Sequence, residues 1–399
     1  MTDPTPSSAT TPSSAQAPAA APPATPRVEF RYLDGMRGAA ALAVVLFHTF
    51  LFTGLEGQAA AELPVIGWLI GYGYLGVPIF IVLSGYVLML PLTRSATLQF
   101  RGGVGPFFRR RAKRILPPYF AAVAISLALI ALIPLMNQPS GTAWDSKIPV
   151  DAGGVLSHLL LLHNVSPDWA FQIDGPLWSV AVEWQIYFLM PLVLLPLFRR
   201  ISPWIVVPAL TVLLLGASLL GFAPWAHPWL VGLFAAGMFA AQLTTRATLP
   251  RGTVRWLTAA AIVAAGLLLV LSPFTQDKVW FNEIIAGGGF MALLVVLGRR
   301  TSRGAGVGLF AVFESRPLRF AGLVSYSVYL LHSPLLALGN LLLLPLGLPL
   351  GLHYAVMMLL VVPVTLALCW GFFLLVERHF QNTHQTRESA TLTHHPATP

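Results

Sequence analysis

The sequence predicts an all-α integral membrane protein with about ten transmembrane helices and both termini in the cytoplasm. Of its 399 residues, 56% are hydrophobic and only 10% are charged, whereas soluble domains carry about 25% charged residues. Uncharged apolar runs of roughly 20 residues, long enough to cross a hydrocarbon core, recur from Gly38 to Val376. The predicted fold class therefore follows from the composition and from the length of these runs.

The predicted spans lie in one membrane domain, residues 27–380, between two polar tails. They centre on residues 35–54, 66–92, 115–136, 177–198, 203–221, 227–243, 256–272, 280–298, 319–345 and 352–376. A shorter run, residues 155–163, is too brief to span and is expected at the surface of the longest loop. Residues 1–26, rich in Ala, Pro, Ser and Thr, and residues 381–399 are predicted to be disordered, and the first tail lacks the apolar core of a signal peptide.

The positions of Lys and Arg predict the orientation, because loops that keep positive charge stay cytoplasmic. Of the 24 Lys and Arg residues, all except Lys147 and Lys278 fall on one side of the ten-span arrangement. This asymmetry also explains the net charge of +9, and neither a soluble basic face nor a recognition motif indicates nucleic acid. The single cysteine, Cys369, excludes an intramolecular disulfide and a cysteine metal cluster.

The first span carries ionisable residues, which lipid tolerates only with a partner or a wet cavity. Arg37 and His48 fall on one helical stripe about 16 Å apart along the axis, and Asp34 lies about 40° from it. A neutral imidazole can accept a proton from an alcohol near pH 7, which makes His48 a candidate general base. The alternative for Arg37 and Asp34 is an interfacial anchor and cap.

The fourth and ninth spans carry further polar side chains: Ser179, Glu183, Tyr187, Tyr329 and His332. Counted from the predicted span edges, His48, His332 and Glu183 lie about 15, 18 and 21 Å above the cytoplasmic edge. We therefore expect a shared polar chamber. The alternatives are a packing role for His332, an interhelical hydrogen bond for Glu183, and a topogenic role for the basic run at residues 107–114.

Four blocks of this sequence resemble the acyltransferase 3 family of integral membrane O-acyltransferases, which modify bacterial surface polysaccharides, peptidoglycan, nodulation factors and macrolides. They are Tyr32–His48, Gly76–Gly85, Trp178–Glu183 with Tyr187, and Ser325–His332. Arg111 and Arg114 resemble the paired-arginine motif that follows the second span in the family. The resemblance covers residues 30–380, and the order of the blocks is more specific than any single one.

The resemblance implies transfer of a short acyl group, such as acetyl, from acyl-CoA to a hydroxyl of a carbohydrate, glycoside, macrolide or cell-envelope acceptor, in the inner membrane. His48 and Glu183 are then the expected catalytic residues, and Arg37, Arg111 and Arg114 the expected donor-binding or donor-path residues, because Arg binds phosphate well. The expected supporting residues of the chamber are Asp34, Ser179, Tyr187, Tyr329 and His332. Acyl-CoA is a substrate, and neither a bound cofactor nor a metal is expected.

The sequence departs from the family pattern at Pro78, where many members have Asp, and at Trp184, where a second Glu is frequent. The additional extracytoplasmic domain of some relatives has no counterpart in this sequence, so we expect the membrane domain to complete the transfer or pass it to another protein. Two other functions stay open. A secondary transporter would use the same ionisable residues as a proton relay, and a non-catalytic scaffold would use them only for packing.

Overall fold

The computed structural model describes residues 30–53, 67, 70–95, 97–100, 102–271 and 274–381. Within these ranges it contains helices and no strands, and nine of the helices are long and apolar enough to cross a membrane. The predicted fold class, an all-α integral membrane protein, is thus confirmed. The predicted tails, residues 1–26 and all but Gln381 of residues 381–399, lie outside the described residues.

Each predicted span coincides with an observed helix, numbered here in chain order. The helices are α1 Tyr32–Phe52, α2 Tyr72–Arg94, α3 Val104–Leu132, α4 Leu177–Arg200, α5 Pro203–Leu219, α6 Pro224–Thr245, α7 Thr253–Leu271, α8 Val279–Ser302, α9 Arg316–Leu346 and α10 Leu350–Leu375. Only α5 falls short of the length usual for a span. Its 17 residues extend about 26 Å, slightly less than a hydrocarbon core of about 30 Å.

The packing of α1 against α9 shows the relative direction of these two helices. A Cβ at Gly38 would lie 2.6 Å from the backbone nitrogen of Gly322, so the helices approach closely there and only glycine fits. Ten residues further along both helices, His48 Nδ1 lies 3.3 Å from His332 Nε2. The helices are therefore parallel and in register. Two parallel spans have an odd number of spans between them, and α2–α8 are seven helices, so α5 must cross the membrane as well.

Helices at the centre of the bundle bury their apolar side chains, whereas a helix at its periphery exposes them. Leu230 and Phe234 of α6 are completely buried, and α6 packs between α2 and α8. By contrast, α7 packs mainly on α8 and has no buried residue, and apolar side chains such as Ile262 are two-thirds exposed. Apolar residues on such a surface face lipid.

The loop between α3 and α4, residues 133–176, is folded over the end of α1. Trp144 is completely buried, and its Nε1 donates to Met136 O at 3.0 Å. Its ring packs against that of Phe52, with 6.3 Å between the ring centroids. A short helix, Ala152–Leu159, begins where the Asp151 carboxylate accepts a hydrogen bond from Gly154 N at 2.6 Å. Leu156, Leu159, Leu160 and Leu162 are about half exposed, in agreement with the predicted surface position of residues 155–163, whereas Leu161 is buried.

Candidate active site

A cavity of about 360 Å³ lies between α1, α2, α3, α4 and α9. This volume is within the range of small-molecule sites. The cavity brings together eight of the ten residues predicted from the sequence: Asp34, Arg37, Arg111, Arg114, Ser179, Glu183, Tyr187 and Tyr329. Its basic end lies towards the start of α1 and α3, which is the side predicted to face the cytoplasm.

The charges around the cavity favour an anion. Arg37 donates to Asp34 at 3.2 Å, and both side chains line the cavity. The guanidinium of Arg111 lies 5.9 Å over the ring of Tyr187, and its buried Nε has no hydrogen-bond acceptor within the described part of the chain. With Arg114, three guanidinium groups face two carboxylates, Asp34 and Glu183, so the cavity carries a formal excess of positive charge.

Glu183 is held among the residues of the cavity. Its Oε1 accepts hydrogen bonds from Ser84 Oγ and from Tyr187 OH, both at 2.6 Å. It therefore lies with the arginines, away from the two histidines with which a common depth was expected. The reason is that α4 begins below the surface: Asp174 and Leu177 are both 0% exposed, so counting from the helix start places Glu183 too close to the outer side.

His48 and His332 form a pair one helical turn beyond the cavity. Their rings are 4.7 Å apart between centroids and nearly perpendicular. His332 is completely buried, whereas His48 is partly exposed. Of the two, His48 is thus the imidazole that a substrate can reach.

The hydrogen-bond partners of the pair determine where the protons lie in the neutral rings. His332 Nδ1 lies 2.9 Å from Val328 O and 3.0 Å from Tyr329 O, which are acceptors, so Nδ1 carries the proton and Nε2 a lone pair. His48 Nδ1 faces two acceptors in turn, Val44 O at 2.8 Å and the lone pair of His332 Nε2 at 3.3 Å. His48 therefore carries its proton on Nδ1, and its Nε2 is free to accept one.

Tyr329 connects the cavity with the histidine pair. Its hydroxyl shares a hydrogen bond with Ser179 at the deep end of the cavity, and its ring lies 5.8 Å from that of His332. Because Tyr329 and His332 are three residues apart on α9, they share one face of the helix. The cavity and the histidine pair are thus separated by about one turn of α9.

Two polar residues of this region were not predicted. Ser84 lies in the block Gly76–Gly85, which resembles the family. A polar side chain in an otherwise apolar run was the sequence signal for this residue. Glu377 follows α10 and is 1% exposed, and its Oε2 accepts from the amide and the hydroxyl of Ser327. Burial raises the pKa of Glu377, and the charge of Arg114 opposes that shift. The sequence signal for Glu377 was an acidic residue at the end of the last apolar run.

Comparisons with known proteins agree with this architecture. The family described as "Acyltransferase domain" (Acyl_transf_3) matches residues 30–374. Peptidoglycan O-acetyltransferase OatA of Listeria monocytogenes is 25% identical over 346 residues, which cover 77% of this chain and 49% of the relative. O-acetyltransferase OatA of Staphylococcus aureus is 26% identical over 331 residues, covering 77% and 51%. The "Putative membrane-bound transacylase BcsY" of Komagataeibacter xylinus is 30% identical over 341 residues, covering 80% and 76%.

This chain spans about half the length of the OatA proteins it matches. No solved structure matches it. The family match includes all ten helices almost to the end of α10, together with the cavity and the histidine pair. The chain therefore belongs to the acyltransferase 3 family of integral membrane proteins.

Proposed function

We propose that this protein is a membrane O-acyltransferase that moves a short acyl group from acyl-CoA to a hydroxyl of a carbohydrate acceptor in the cell envelope. The observation that carries the proposal is the free, partly exposed Nε2 of His48. Membership of the acyltransferase family and the names of the OatA relatives support the reaction class.

The proposed donor site is the cavity. Phosphates of CoA suit the guanidinium groups at its basic end, because Arg forms paired, charge-assisted hydrogen bonds with phosphate oxygens. Arg37 and His48 are separated by about 16 Å along α1, a distance that the extended pantetheine arm would bridge by running through the cavity towards the histidine pair. The thioester then lies near Tyr329 and Ser179, next to the histidine pair.

The chemistry requires one proton acceptor. His48 Nε2 removes the proton of the acceptor hydroxyl as the oxygen attacks the thioester carbonyl carbon. The tetrahedral intermediate collapses with cleavage of the carbon–sulfur bond, and the CoA thiolate takes the proton back from His48. Val44 O and His332 Nε2 share the Nδ1–H of His48 and so stabilise the imidazolium and fix its orientation.

Because CoA is a cytoplasmic molecule, the proposal places the basic end of the cavity in the cytoplasm and the protein in the inner membrane. A cell-envelope acceptor is favoured over a macrolide or other small glycoside by the relatives named for peptidoglycan O-acetylation. Mass spectrometry of envelope glycans and of small metabolites, with and without the gene, distinguishes these acceptors.

The test of the reaction uses the purified full chain in lipid nanodiscs with radiolabelled acetyl-CoA and isolated envelope glycans. We expect ester-linked label on the glycan with the wild type, and His48→Ala should lower turnover by about 10² to 10⁴-fold. His379→Ala, which changes an exposed histidine, is the matched control. A proton-coupled transporter would give no labelled ester, and a scaffold would be indifferent to His48→Ala; either result would overturn the proposal.

A further inference from the structure

A second polar cluster lies beyond the histidine pair, in the loop 133–176 and the helices that it covers. Lys147 is 5% exposed, and Asp174, Ser126 and Ser333 are each 0% exposed. The main chain joins the two loop segments, since Ile173 N donates to Lys147 O at 3.1 Å. Ser333 directly follows His332 on α9. Charged groups buried at this position need partners to offset the loss of hydration.

The cluster has more hydrogen-bonding capacity than the protein uses. Asp174 Oδ2 accepts from Ser126 Oγ at 3.3 Å. Ser333 is near enough to act on the Asp174 carboxyl, but neither its hydroxyl nor Asp174 Oδ1 makes a well-formed hydrogen bond among the described residues. The Lys147 ammonium donates to Ser146 Oγ at 2.6 Å and lies over the Phe171 ring at 5.7 Å, which leaves two N–H donors. Donors and acceptors that are buried, adjacent and unused match the needs of a hydroxyl-bearing ligand.

The electrostatics of the cluster agree with this reading. Burial raises the pKa of Asp174 to about 8 and lowers that of Lys147 to about 8, and the charge of each opposes the shift of the other. Lys147 is also close enough to His48 for its charge to act on that ring.

We propose that Lys147, Asp174 and Ser333 form the acceptor subsite, where they bind hydroxyl groups of a polyol or sugar beside His48. This inference rests on the proposed acyl transfer. The partly exposed Phe171 ring covers the Lys147 ammonium, so an acceptor reaches the cluster from the loop side by displacing one side chain. Donor and acceptor then approach His48 from opposite ends of the bundle.

Gly175 provides a variant that moves the ammonium without removing a charge. A Cβ at this position would lie 2.7 Å from Lys147 Cε and 2.8 Å from Nζ, the far end of a flexible side chain. Gly175→Ala therefore folds by shifting Lys147, because no backbone atom is in the way. Lys147→Met is the direct removal, and Lys278→Met changes the other lysine predicted to lie outside, which is exposed, as the matched control.

The experiment complements a strain lacking the gene with each variant and measures the acyl groups released from its envelope by mild alkali. The purified variants are assayed for acetyl-CoA binding and thermal unfolding. Gly175→Ala and Lys147→Met should lower the released acyl groups by about 10- to 100-fold, as expected for lost hydrogen bonds to a charged group. Acetyl-CoA binding and the unfolding midpoint of Gly175→Ala should stay at wild-type values.

The outcomes separate this inference from the proposed function. Wild-type levels of acyl release with Gly175→Ala and Lys147→Met would overturn the subsite, and so would a loss that is fully accounted for by a lower unfolding midpoint. Failure of the wild-type gene to restore any ester would overturn the proposed function, together with the subsite that depends on it.

Discussion

The two ends of the polar path through this bundle are built differently. At the predicted cytoplasmic end, three arginines line a cavity of about 360 Å³ and leave an excess of positive charge. At the other end, one lysine and one aspartate, whose formal charges are opposite, are buried in a folded loop. The difference indicates that the first end suits a multiply charged ligand such as CoA, whereas the second suits a neutral, hydroxyl-bearing one.

The strongest test of this comparison is the side of the membrane on which each end lies. Reporters fused after Arg200 should give a cytoplasmic signal, and those fused after Gly221 or near Lys147 an external one, because α5 must cross if α1 and α9 are parallel. Each reporter gives either a cytoplasmic or an external signal, so the expected effect is a complete change. A cytoplasmic signal at both Arg200 and Gly221 would mean that α5 does not cross, and one at Lys147 would reverse the assignment of the two ends.

The donor end is tested by removing its arginines. Arg111→Gln combined with Arg114→Gln should weaken acetyl-CoA binding on the order of 100-fold, because each side chain would lose charge-assisted hydrogen bonds to phosphate. Equilibrium binding to the protein in nanodiscs measures the effect. Arg109→Gln with Arg110→Gln, on the same helix but exposed, is the control. Equal effects of the two pairs would assign all four arginines to topology or lipid contact.

The histidine pair lies between the two ends, and substitution of His332 tests its role. His332→Ala removes one of the two acceptors of the His48 Nδ1–H and leaves Val44 O, so it should lower kcat by at most about tenfold, which corresponds to one neutral hydrogen bond. The KM for acetyl-CoA should not change. His332→Gln, whose carbonyl can accept the same hydrogen bond, should recover part of the loss. If His332→Ala is inactive and His48→Ala retains activity, the base is His332 and the assignment here is wrong.

Sequence reasoning located the helices and most of the cavity because both depend on signals that are local in the chain. An apolar run of about 20 residues forms a helix in a bilayer, because a helix satisfies all its backbone hydrogen bonds internally. An ionisable residue inside such a run must face other polar groups. The meeting of His48 and His332 followed from similar distances along two spans that enter from the same side. Arg37 and Arg111 line one cavity because both lie towards the predicted cytoplasmic ends of their spans.

The depth of Glu183 and the cluster around Asp174 could not be predicted, because both depend on how the loop 133–176 folds. Hydropathy marks where an apolar run begins, but it does not show that Asp174 and Leu177 are already buried at that point. Nor does it show that Lys147, read from the sequence as an ordinary external charge, turns inward beneath Phe171. Loop conformation is set by tertiary contacts, which have no period in the sequence.

The close contact at Gly38 and Gly322 limits how the two histidine helices can vary. One residue inserted between Gly38 and His48 would turn the imidazole by about 100° and raise it by about 1.5 Å, away from His332. The same insertion in α9 between Gly322 and His332 would restore the relative height of the rings but rotate both away from each other. Each helix must therefore keep the interval of ten residues between its glycine and its histidine. A graft of this histidine pair into another helical bundle would have to carry the glycines with the histidines.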